Sequence, residues 1–208
     1  IATSILDTFV TVYGLTPSTQ YPVKVRAVCG VGDTSNWSSE VIMTTQCGAI
    51  ESLPWTHGFE GVAAGDIPFC WTRTPIVYNN IFGGGTTNAP SVSTSSARTG
   101  NASLYMGWMT YYTLTNAGPA VIATPPIVHD PTNLHVVFYS RGQQDAGCTL
   151  EAGILTDPTD LTSFVPVLTL DGDDLPSAYG APYAMFEFYT STLTTLTPND
   201  VISLAFRM

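Results

Sequence analysis

The chain has 208 residues, 11% of them charged, and its 16 acidic and six basic side chains give a formal net charge of −10. Six scattered bases cannot build the positive surface that holds a phosphate backbone or an anionic lipid face, and no apolar run reaches bilayer-spanning length, so neither nucleic acid binding nor direct membrane insertion is expected. The length exceeds one average domain and falls short of two, which suits a complete domain joined to part of another. Along the chain, the segments "TFVTVYGL", "YPVKVRAVC", "EVIMTT", "NLHVVFYS", "CTLEAGIL", "YAMFEFYT" and "DVISLAFR" alternate apolar and polar residues and are rich in β-branched and aromatic types, which predicts strands. Turn chemistry separates them in "TPS", "GVGDTSN", "HDPTN", "TDPTD", "DGDDLP" and "TPND". Apolar residues never persist at helical spacing, so the expected fold is all-β, a sandwich or jelly roll.

Residues 1–46 hold the first strands. "GLTPSTQYPVKVRAV" sets a Leu-x-Pro turn before a tyrosine that opens an alternating strand, and a hairpin leads on to "SSEVIMTT". This resembles the last three strands of a fibronectin type III domain. The resemblance implies that Tyr21 locks a corner through its hydroxyl and nearby backbone, and that Leu15, Val23, Val25 and Ala27 face a core. The earlier strands of such a domain are not in the chain, so 1–46 is expected to be a partial sandwich, with 47–52 a linker. Ile1 is not an initiator methionine, and the chain is expected to be cut from a longer precursor.

Cys29, Cys47, Cys70 and Cys148 lie far apart, without the spacing of a zinc knuckle or redox motif. They either pair in an exported protein or remain as buried thiols packed like small hydrophobes. In a hairpin turning near Thr34, Cys29 sits beside the turn and Cys47 past the open end, about 20 Å apart, so these two should not pair.

The stretch "LPWTHGFEGVAAGDIPFCW" sets Trp55, Phe59, Phe69 and Trp71 around one carboxylate, Glu60. With the segments C-terminal to it, this stretch resembles the MAM and cleaved-adhesin group of jelly-roll modules. "GFEG" and "GDIPFCWT" match the first strand and the Cys-Trp after it; "TGNASLYMG", "VIATPPI", "NLHVVFYSRG", "GCTLEAGILTDPTDLTSFVPVLTL", "YAMFEFYT" and "DVISLAFR" match later segments in order. The match covers about residues 53–208. It departs from the family where the cysteine before Phe-Glu is replaced by Gly58, and where the chain stops before the final acidic strand, so the module is expected to be truncated at its C-terminal end. The resemblance implies an antiparallel jelly-roll β-sandwich of a bacterial cell-surface or secreted protein, and hence an extracellular location. It implies that Cys47 substitutes as the disulfide partner of Cys70. It also implies a structural calcium ion on Glu60 and Asp66, against the alternative of a hydrogen-bonded carboxylate at a strand start. "DGDD", Asp171 to Asp174, is a polar turn or a surface ion site.

No Gly-x-Ser-x-Gly, His-Glu-x-x-His or P-loop is present, and "FGGGTT" lacks the P-loop lysine. His57, His129 and His135 are scattered, with His135 at a packed or edge position in a strand. Glu151 and Glu187 could in principle form a glycosidase pair, without local support. Aromatics offer the other reading. Tyr105, Trp108, Tyr111 and Tyr112 crowd "LYMGWMTYYTL", and Tyr78 and Phe82 flank Asn79 and Asn80. Exposed rings would suit the apolar faces of sugars, whereas core rings look the same in sequence; Tyr105 is expected in the core. The expected function is a noncatalytic adhesion or carbohydrate-binding module whose partner, a glycan or a host or neighbouring protein surface, meets Trp108, Tyr111 and Tyr112. The alternative is an accessory or catalytic domain of a secreted glycoside hydrolase or peptidase.

Overall fold

Side chains that alternate between two environments, interrupted by Pro, Gly and Asp, leave short strands and tight turns as the means of satisfying the backbone. The computed structural model describes residues 9–74, 76–79, 85–107, 119–142, 149–176 and 181–208. It is all-β, and the chain divides into two compact units, Ile1–Gly48 and Ala49–Met208.

The first unit contains β1 (Gln20–Val23), β2 (Val28–Gly30), β3 (Asp33–Thr34) and β4 (Val41–Thr44). β1 pairs antiparallel with β4, placing Tyr21 opposite Met43, and β2 pairs with β3. Between these ladders the Ser35 and Ser38 hydroxyls accept from the Ala27 and Val25 N–H groups. The Ser35 and Ser38 N–H groups donate in turn to the Ala27 and Val25 carbonyls, so one bent hairpin runs through the unit. The Tyr21 hydroxyl accepts from the Thr16 N–H at 3.0 Å, a side-chain-to-backbone tie across the corner, and hydrogen bonding from Thr16 lowers the phenol pKa. The expected inward set is only partly sheltered. Leu15 and Val23 are half-buried, but Val25 and Ala27 are exposed, because the regular strand ends at Val23 and the alternation ends with it. Cys29 is an exposed free thiol, so it does not pair with Cys47, as expected, and Cys47 is disulfide-bonded to Cys70.

The second unit contains β5 (Thr72–Arg73), β6 (Ile76–Asn79), β7 (Gly85–Asn88), β8 (Ser91–Ser93), β9 (Ser103–Tyr105), β10 (Val121–Ala123), β11 (His135–Ser140), β12 (Leu150–Leu155), β13 (Phe164–Leu170), β14 (Ala184–Tyr189) and β15 (Ser203–Arg207). Five of these form an antiparallel sheet in the order β13-β12-β15-β10-β5; β6 pairs with β7, β8 with β9 and β11 with β14. The central strands are sealed on both faces. Ile122, Ala123, Ala152, Ile154 and Leu155 are fully buried. Gly153 lies where the register shifts against β13, and a Cβ there would collide with the Val165 carbonyl. Pro166, which cannot donate to a ladder, sits opposite that shift on an edge strand, where its missing N–H is tolerated.

Ile50, in the stretch expected as linker, is a core residue. It bridges Ile127, which bridges Ile202, and the three pack with Ile154 and Leu134. The predicted turns form at "HDPTN" and "TDPTD", where Asp130 and Asp157 each accept from a backbone N–H two residues on. The β11–β14 ribbon lays one face on the large sheet. Phe138 and Phe186 face each other at 5.7 Å, and Phe138 meets Phe206 of β15 edge-on at 5.1 Å, beside buried Leu150 and Leu170. This contact makes two layers of a sandwich.

Candidate functional site: the outer face of the β11–β14 ribbon

The aromatic stretch near residue 55 organises itself without surrounding Glu60. Trp71 is buried and Trp55 and Phe59 half-buried, and the His57 ring lies among all three, 5.8 Å from Trp55, 5.0 Å from Phe59 and 5.4 Å from Trp71. Phe69 stays outside and exposed. The Phe59 N–H donates to His57 Nδ1 at 3.1 Å, and burial of the ring lowers the imidazole pKa, although much of the residue remains open to water.

Glu60 reaches away from this cluster. One carboxylate oxygen, Oε1, accepts from the Asn101 N–H at 2.8 Å and the Ala102 N–H at 3.1 Å. It is a tether for the turn at 100–102, where Gly100 has φ +66° and a Cβ would collide with the same oxygen. Asp66 works through its backbone, donating to the Ala63 carbonyl and accepting from Val92 N–H at 2.7 Å. Calcium takes six to eight oxygens. Among the described residues no three His, Cys, Asp or Glu side chains gather as a metal group.

The ribbon's outward positions form a more distinctive surface. Strand alternation sends Phe138, Phe186 and Phe188 inward and leaves His135, Val137, Tyr139, Met185, Glu187 and Tyr189 on the other side. The antiparallel register makes three cross-strand pairs of these six, His135 with Tyr189, Val137 with Glu187 and Tyr139 with Met185. An outward face of a half-buried ribbon is ordinarily polar. Here Val137 is 46% exposed, Tyr139 41%, Met185 56% and Tyr189 44%.

Three contacts fix the polar groups on this face. His135 stacks flat on Tyr189, with centroids 4.3 Å apart and planes 7° from parallel, and its Nε2 meets Glu187 Oε2 at 2.9 Å. The Arg98 guanidinium lies 3.5 Å over the Tyr139 ring centroid. Ser96 anchors the segment that carries Arg98. Its hydroxyl lies 3.0 Å from the Tyr183 hydroxyl and accepts from Arg141, and its carbonyl accepts from Ser103. From His135 to Tyr139 the face runs about 13 Å, long enough for a short oligosaccharide.

The expected aromatic site, Trp108, Tyr111 and Tyr112, lies outside the described residues. Tyr105, expected in the core, is an exposed residue whose ring covers the buried Gly107, where any Cβ would collide with it. Its strand is short and pairs only with β8 among the described strands. Glu151 and Glu187 are not brought together. Glu151 accepts from Arg207 Nε at 2.5 Å on the five-stranded sheet, whereas Glu187 is on the ribbon with His135. Neither Tyr139 nor Tyr189 was expected in a site. The available signal was that "HVVFY" and "MFEFY" place Val, Tyr and Met at alternate positions opposite the phenylalanines. Comparison with family models, with curated proteins and with solved structures finds no match to the chain.

Proposed function

We propose that the second unit is a noncatalytic, jelly-roll recognition module of an extracellular protein, and that it binds carbohydrate on the outer face of the β11–β14 ribbon. The observation that carries this reading is the alternation itself: the ribbon buries one row of aromatics and presents a second row, Tyr139 and Tyr189, to water. A sugar offers apolar C–H faces edged by hydroxyls, which suits rings set beside fixed hydrogen-bonding groups. Tyr139 and Tyr189 stand at diagonal ends of the face, with the His135–Glu187 pair beside Tyr189. The Cys47–Cys70 disulfide supports an oxidising, extracellular setting. No helix of the described residues is long and apolar enough to cross a membrane.

The experiment is a glycan array with the wild type and with Tyr139→Ala and Tyr189→Ala, each paired with a thermal melt. Both variants should lose glycan binding, by about 1 to 3 kcal/mol for a stacking contact, while melting near the wild-type temperature. Saccharide binding that survives both substitutions would remove the ribbon from the site, and turnover of a bound saccharide would replace the noncatalytic reading with the hydrolase alternative.

A further inference from the structure

The four arginines of the second unit differ in what their guanidinium groups already hold. Arg73 donates to the Gly65 and Pro90 carbonyls, Arg141 to the Ala181 carbonyl and the Ser96 hydroxyl, and Arg207 to Glu151. Arg98 is exposed, and among the described residues it has neither a hydrogen bond nor a carboxylate partner. Its position is nevertheless determined, since its guanidinium carbon lies 3.5 Å over the Tyr139 ring centroid and it follows the Ser96 anchor by two residues. A guanidinium presents five N–H donors in a planar fork that matches an oxyanion, and stacking orients the fork without using those donors.

A chain of net charge −10 repels anions over its surface at large. On the ribbon face the exposed carboxylate, Glu187, is already held by His135, and Arg98 adds an uncommitted positive group beside an exposed ring. We infer that the saccharide taken by this face is acidic, with a carboxylate or sulfate that meets Arg98 while the sugar ring packs against the exposed part of Tyr139 that Arg98 leaves open. This rests on the carbohydrate reading above and adds the ligand's charge to it.

The test is isothermal titration of the full chain with matched probes: an oligogalacturonate against its methyl ester, and a sulfated dextran oligosaccharide against the unsulfated one. The wild type should bind at least one charged member about tenfold more tightly than its neutral counterpart, the scale of a charge-assisted hydrogen bond. Arg98→Gln should abolish that difference, and Tyr139→Ala should weaken both members. Equal affinity within each pair, with Tyr139→Ala still weakening both, would overturn the acidic ligand and leave the carbohydrate platform standing. A preference for charge that persists in Arg98→Gln would overturn the assignment to Arg98. Failure of all four probes, together with an empty glycan array, would remove both readings.

Discussion

Glu60 serves its fold through one oxygen, and Gly100 is the residue that lets it do so. The carboxylate accepts from two backbone N–H groups at a turn whose positive φ and lack of space both demand glycine. Glu60→Ala should cost about 1 to 2 kcal/mol in urea unfolding, with Glu60→Gln in between, because an amide oxygen still accepts but without charge. Gly100→Ala should also destabilise, and less in the Glu60→Ala background than in the wild type, since the collision with Oε1 is then gone. Strict additivity in that double-mutant cycle would show that the two residues do not act together. His57 gives a pH dependence with a definite sign. Burial among rings depresses its folded-state pKa, so the neutral form is favoured in the fold and its contribution is present above the unfolded value of about 6.5. Melting temperature should therefore decline as pH falls below that value toward the lower folded pKa, and His57→Phe should flatten that part of the profile.

At the level of elements, the ribbon depends on a buried threonine. Thr190 follows β14; its hydroxyl donates to the Pro131 carbonyl and accepts from Leu134 N–H at 2.8 Å, tying the exit of β14 to the approach of β11. Thr190→Val keeps the shape and leaves a buried carbonyl and N–H unmatched, so it should cost about 1 to 3 kcal/mol of stability. The two rows of aromatics should respond oppositely to truncation. Phe138→Ala removes the contact with Phe186 and Phe206 and should cost about 3 kcal/mol, whereas Tyr139→Ala one residue later should change binding and spare the melt. If Phe138→Ala were the variant that lost binding at unchanged stability, the inward and outward rows would be exchanged, as a one-residue register shift produces.

For the whole molecule, the disulfide closes a loop of about twenty residues, and such a closure stabilises by about 3 kcal/mol, chiefly by restricting the unfolded chain. Reduction, or Cys47→Ser with Cys70→Ser, should lower the unfolding midpoint in urea accordingly, and an unchanged midpoint would mean that the bridge contributes nothing to the fold. The same variant should leave glycan affinity unchanged. The ribbon is held by the Phe138 contacts and the Thr190 bonds, none of which involves the bridged segment.

The all-β class was legible in the sequence because period-two alternation and turn residues are local properties, and the strands of "NLHVVFYS", "CTLEAGIL" and "YAMFEFYT" form close to where that pattern placed them. The separation of Cys29 from Cys47 came from strand length alone. Other features needed the tertiary structure. Alternation shows that His135, Val137 and Tyr139 share a face, but which of the two faces is buried depends on the large sheet that packs against Phe138. That Glu60 tethers a turn is not legible locally, because the N–H groups it holds lie 41 residues later in the chain. Ile50 resembles a linker residue until Ile127 and Ile202 arrive beside it. In each case a residue type limits the chemistry, and contacts distant in sequence select which part of that chemistry is used.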